Sequence, residues 1–197
     1  MRTLYISIFL ILMGVSGIAQ EKYSIISYPI GFAMGDTKDF IDQTSFRGLG
    51  IEVGRFIADD KASIGFQTNF QTFYKELAKD TYPIKNGAIT GKQYRYISSI
   101  PLLAKGLYYP TGQESKVIPH VGLGMGTYYI EKERNIGLYG TKTSVWHFGL
   151  TPQAGVSIPI NFRTNFNINA EYNMAVKTQK HDAESWLTLS FGFKYIY

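Results

Sequence analysis

His120, His147 and Glu171 are the side chains in this sequence whose types suit acid–base or metal chemistry, and each falls on the polar side of an alternating segment. Imidazole and carboxylate ligands hold zinc only when they converge at about 2 Å from one ion. If the two histidine-bearing segments pair around the connection 131–144, His120 stands opposite about residue 154. His147 is then displaced by roughly seven residues, or about 23 Å at about 3.3 Å per residue. No shared site is expected, so neither a metal nor another cofactor is predicted. Acyl transfer needs a serine within hydrogen-bond reach of a histidine. On the same strand face His120 is followed by Gly122 and His147 by Gly149, so the local pattern supplies no nucleophile. His181 belongs to a connection and carries no pattern. Gly122, Gly124 and Gly126 lack the G-x-G-x-x-G spacing, and the strand-to-helix context, that cradle a dinucleotide phosphate. They read instead as small residues lining one face of a strand. No catalytic residue is predicted, and the chain reads as non-enzymatic.

The elements that position these residues have period two. Eight segments alternate: 24–34, 48–57, 62–74, 94–109, 117–130, 145–158, 162–176 and 185–197. In the seventh, Phe162, Thr164, Phe166, Ile168, Ala170, Tyr172 and Met174 share one face, opposite Arg163, Asn165, Asn167, Asn169, Glu171 and Asn173. The eighth sets Leu187, Leu189, Phe191, Phe193 and Tyr195 against Thr188, Ser190, Gly192 and Lys194. The fourth is less regular, with Pro101 and Leu103 breaking its pattern.

Alternation alone does not say which face is outside, because a soluble ligand-binding barrel is apolar within. Three features favour a membrane barrel. The polar face is rich in glycine (Gly48, Gly50, Gly54, Gly65 and Gly122 to Gly126), which suits a cramped lumen. Aromatic residues gather near segment ends, as interfacial girdles require: Tyr74, Tyr94, Tyr108, Tyr129, Trp146, Trp186, Tyr195 and Tyr197, with Tyr128 beside them. The apolar faces stay uncharged until Arg55, near a strand end where its stem can snorkel. Connections alternate as well. Those at 35–47, 75–93, 131–144 and 177–184 are long and polar, and those at 58–61, 110–116 and 159–161 are short. Outer-membrane barrels place long loops outside and short turns in the periplasm, so both termini are expected to be periplasmic.

The N-terminus agrees with export. Arg2 precedes an apolar run over 4–15, and small residues at 17–19 predict cleavage before Gln20, which makes 1–19 a signal peptide and 20–197 the barrel domain. As a helix that run would span only about 18 Å, against about 30 Å of hydrocarbon. With Cys 0 there is neither a lipid-anchored cysteine nor a disulfide framework. The formal net charge is +5, but the cations are scattered among connections rather than gathered into a stripe, which argues against nucleic acid.

The stretches Ile100-Pro101-Leu102-Leu103-Ala104-Lys105 and Pro119-His120-Val121-Gly122-Leu123-Gly124-Met125-Gly126, the strand at 151–158 and the aromatic C-terminal strand resemble those of small Gram-negative outer-membrane β-barrels that include the PorT-like proteins. The resemblance implies an eight-stranded antiparallel up-and-down transmembrane barrel. Its implied partners are outer-membrane lipids and lipopolysaccharide, the barrel-assembly machinery that reads the final strand, and, in one branch, a secretion complex. Eight strands leave a lumen that side chains fill. The expected roles are envelope structure, adhesion or a secretion-associated assembly, and the alternatives are a lipid A-modifying barrel enzyme or a narrow channel. Heights along the strands place Glu52, Lys105 and Lys194 in the same periplasmic half of a lumen polar cluster of Glu52, Gln67, Lys105, His120 and Lys194, where the Glu52 carboxylate is expected to meet Lys194 and Lys105 and to bond to Gln67 or His120. Loop lysines, among them Lys75, Lys79, Lys92, Lys132 and Lys142, read as a solvated surface or as contacts to lipopolysaccharide phosphates.

Overall fold

Period two becomes a closed sheet. The computed structural model describes residues 21–84, 87–137, 139–178 and 182–197. The expected signal peptide, 1–19, and His181 lie outside the described residues. Strand β1 (Lys22–Met34) leads into a short helix α1 (Gly35–Phe40) and a two-residue strand β2 (Thr44–Ser45). The chain then continues as β3 (Arg47–Ile57), β4 (Ala62–Ile84), β5 (Gly87–Tyr108), β6 (Ile118–Ile136), β7 (Tyr139–Pro159), β8 (Thr164–Ala175) and β9 (Glu184–Ile196). Each long strand pairs antiparallel with the next, and β1 closes the ring on β9 from Tyr23↔Ile196 to Met34↔Ser185. The result is an eight-stranded meander barrel, with β2 a patch on β1. Closure pairs the backbone groups around the ring, the condition for crossing hydrocarbon with strands.

Burial follows the alternation. In β8 every second residue, from Asn165 to Ala175, is buried toward the lumen. The outer wall instead exposes Ile51, Val53, Phe66, Leu102, Met125 and Phe193, a belt of apolar side chains far larger than a water-facing surface carries. Strand β5 corrects the reading of its sequence. Pro101, Leu103, Lys105 and Leu107 all point inward and alternate with Leu102, Ala104, Gly106 and Tyr108 outside, so the pattern is intact. It looked broken because part of the lumen is itself apolar. Gly126 shows how tightly that lumen closes: a Cβ there would run into the Leu102 carbonyl oxygen and lie 3.1 Å from Leu103 Cα.

The described residues of the connections 75–93 and 131–144 are mostly strand rather than loop. Strands β4 and β5 stay paired to Ile84↔Gly87, and β6 and β7 to Ile136↔Tyr139, so two long hairpins stand above the ring. Cross-strand charges support them on their outer side, Lys92 to Glu76 at 2.6 Å and Lys142 to Glu131 at 2.8 Å. Beyond hydrocarbon a strand needs no apolar face, so the period that marked the segments in sequence fades while the pairing continues. On the other side β3 ends at Arg47 and β8 at Ala175. The wall is therefore raised on one half of the barrel.

Candidate functional site

The lumen is built in three layers. At the end bearing the short turns, Tyr23, Ile25, Phe56, Leu107, Tyr109 and Ile118 form one buried apolar layer. At the end bearing the long hairpins, Phe73, Ile97, Tyr128, Ile130 and Trp186 form another, with Ile41 completing it from the connection after α1. That helix is pinned by Thr37, which donates to Glu184 Oε2 at 2.6 Å and accepts from the Ser185 amide at 3.0 Å. Trp186 and Tyr128 are thus corrected from girdle positions to plugs. They share the parity of Thr188 and of Gly126, and each is packed inside at 1 % exposure or less. Tyr74, Tyr94, Tyr129, Trp146, Tyr195 and Tyr197 remain on the outer wall, with Tyr108 at 53 % exposure.

Between the plugs lie the charges. Glu52, Gln67, Lys105, His120 and Lys194 are all buried there, and Glu171, not among the predicted cluster, joins them. Lys105 Nζ lies 2.6 Å from Glu52 Oε2 and 3.6 Å from Glu171 Oε1. Gln67 donates its amide to both oxygens of Glu171, at 3.0 and 3.1 Å, and Tyr23 donates its hydroxyl to Glu52 at 2.9 Å. Of the two ammonium groups expected to meet Glu52, one forms the ion pair. Glu52 takes Lys105, while Lys194 is boxed by rings, with Nζ 5.0 Å from the centres of Tyr23 and Tyr109 and 5.7 Å from Phe56. Its hydrogen bond goes to Tyr109 Oη at 3.3 Å. Glu52 and Lys194 stand in one register row, each opposite Ile25 of β1, but the Glu52 carboxylate is held by Lys105, which reaches it from the far side of β4. Glu171 stands on the asparagine-rich face of its segment, and no spacing along the chain signals that it meets Gln67 and Lys105.

Two carboxylates and two ammonium groups balance in this layer. The arrangement clasps β3, β4, β5 and β8 across the lumen, and its groups face one another rather than an open path. The histidines stay apart, with His120 opposite Gly155 and His147 opposite Tyr128 along the same strand pair. His147 Nδ1 lies 3.0 Å from the Val176 carbonyl oxygen and 3.2 Å from Thr178 Oγ1. A carbonyl only accepts, so that nitrogen carries the proton and cannot act as a base toward Thr178. Among the described residues no cluster of three or more His, Asp or Glu side chains could hold a metal ion.

Solved structures share this architecture. Ail, the attachment invasion locus protein of Yersinia pestis, solved in complex with the heparin analogue sucrose octasulfate, superposes with a TM-score of 0.56 at 14% identity, over 91% of this chain and 100% of that one. The fold is that of the small outer-membrane β-barrels. A major outer-membrane protein of Thermus thermophilus gives 0.59 at 13% identity, covering 90% of this chain and 99% of its own. Outer membrane protein W of E. coli gives 0.51 at 16% identity, covering 92% and 100%. No protein-family model matches the sequence, and the search of curated proteins finds no match either. Within this barrel fold the outward apolar belt is the surface that meets lipid, and the raised hairpins are the part that projects beyond it.

Proposed function

We propose that this chain is an outer-membrane barrel that neither conducts nor catalyses, and that it works through the hairpin wall, held outside the cell, in adhesion or another surface contact. The stoppered lumen carries this reading. Apolar layers close both ends, and a charge-balanced clasp fills the middle. Long hairpins outside and short turns with both termini in the periplasm follow the general rule for such barrels. The sulfated ligand held by Ail, a protein of the same fold, supports a role in surface recognition. Outer-membrane lipids and lipopolysaccharide would surround the belt, and the barrel-assembly machinery would read β9. The narrower PorT-like resemblance rests on the stretches at 100–105, 119–126 and 151–158, and it supports a secretion-associated assembly as the second reading.

Reconstituted in a planar bilayer, the folded barrel should pass no steady single-channel current, and lipid A incubated with it should keep all its acyl chains. Stable conductance would overturn the non-conducting reading, and altered lipid A the non-catalytic one.

A further inference from the structure

The inward side of the hairpin wall carries like charges abreast. Lys75 of β4 is the register partner of Arg95 of β5, and Arg95 that of Arg134 of β6, with Thr141 of β7 completing the row. Two positions nearer the lumen, Lys132 of β6 faces Thr143 of β7. Like charges directly opposite one another destabilise a sheet. Two of the four cations are answered by carboxylates: Asp42 lies 2.7 Å from Lys75, and Glu184 pairs with Lys132. Among the described residues Arg95 and Arg134 have no carboxylate at ion-pair distance. Arg95 donates to neutral acceptors, Gln93 Oε1 at 2.7 Å and the Phe40 carbonyl oxygen at 3.1 Å.

Phe40, the last residue of α1, gathers these cations. Arg95 Cζ, Lys132 Nζ and Arg134 Cζ stand 5.1, 5.4 and 5.5 Å from its ring centre. Beside Phe40 opens a cleft of about 270 Å³ lined by Lys132, Arg134, Thr141 and Thr143. Glu133 borders it, its carboxylate taking the Asn135 amide at 2.5 Å.

We propose that this cleft is a binding site for a sulfated saccharide presented from outside the cell. The inference rests on the surface-recognition reading above. Lys132 and Arg134 would hold the oxyanion ester, Arg95 would reinforce its field, and the hydroxyls of Thr141 and Thr143 would donate to it. A guanidinium fork matches the geometry of a tetrahedral oxyanion, and an incoming anion would remove the repulsion within the row. Position selects the source. The cleft faces the barrel axis above the plug, whereas the phosphates of surrounding lipid A stand against the outer wall.

The test uses the refolded chain in phosphatidylcholine nanodiscs, titrated by calorimetry with a heparin-derived sulfated tetrasaccharide, the same saccharide desulfated, inorganic phosphate, and vesicles containing lipopolysaccharide. Binding of the sulfated form alone is expected. Arg134→Gln should weaken it by about tenfold or more, the loss of one charge-assisted contact. Lys142→Gln, on the outer side of the same hairpin and paired with Glu131, should leave it unchanged. The melting temperature of unliganded Arg134→Gln should hold or rise, because a repulsive neighbour has gone. Equal losses in the two variants would reduce the effect to general surface charge and overturn the site. So would undiminished binding in Arg134→Gln, or equally tight binding of lipopolysaccharide vesicles. A folded, non-conducting barrel that fails to bind leaves the broader reading intact and removes only this site.

Discussion

Lys105 lies between two carboxylates, and that position sets the cost of removing it. Breaking a buried ion pair by deleting one partner costs about 3–5 kcal/mol, because the other charge is left uncompensated. Lys105→Met leaves both Glu52 and Glu171 in that state, so it should lower barrel stability more than Glu52→Gln, after which Lys105 still has Glu171 at 3.6 Å. Groups in one network couple by about 0.5–3 kcal/mol in a double-mutant cycle. Urea unfolding in lipid vesicles should show such coupling for Glu52→Gln with Lys105→Met. It should show less for Glu52→Gln with Lys194→Met, because Lys194 is held by rings and by Tyr109 Oη. Stronger coupling to Lys194 than to Lys105 would reject the observed pairing.

At the scale of the strand, the face assignment has a direct consequence. Ile168 lies outward in the middle of β8, between buried Asn167 and Asn169. Arginine there faces hydrocarbon at a cost of about 2–4 kcal/mol near the midplane, while Ile168→Leu keeps the belt apolar and should be tolerated. The inward neighbour is less permissive than a polar lumen suggests. Asn167 is 5% exposed and accepts a hydrogen bond from Ser157 at 2.8 Å, so Asn167→Arg must displace packed groups. The heat-modifiable folded fraction should fall for both arginine variants and hold for Ile168→Leu. A folded fraction for Ile168→Arg equal to that of Ile168→Leu would mean that the belt does not face lipid.

The whole molecule is asymmetric along its axis, with hairpins reaching Ile84↔Gly87 and Ile136↔Tyr139 at one end and short turns at the other. The proposed orientation predicts that an epitope inserted after Gly87 is reached by antibody on intact cells. One inserted between Thr111 and Gly112 should be reached only after the outer membrane is permeabilised. The opposite labelling would invert the barrel and move the cationic cleft into the periplasm. The same asymmetry separates the tasks of the two halves, since the ring and its clasp supply rigidity while the wall supplies surface.

The sequence by itself determined the strand count, the parity of nearly every strand and which side of the sheet the lumen charges occupy. Each of these is a local consequence of side chains alternating across a pleat, and a one-residue slip would have turned the whole apolar set of a strand inward. Pairing between charges was not legible, because it depends on which side chains reach across the closed lumen: Glu52 and Lys194 share a register row opposite Ile25, yet Lys105 holds the Glu52 carboxylate. Trp186 and Tyr128 were misread as girdle residues for a related reason. An aromatic near a strand end fits either an interface or a plug, and only the closed ring shows which side of the sheet it occupies. The hairpin wall was hidden because strands standing in water need no periodic apolar face. The cationic cleft exists only once Phe40, from a short helix, meets Arg95, Lys132 and Arg134 from strands far away in sequence. Spacing along the chain carries no signal for such a meeting, and the tertiary structure alone decided it.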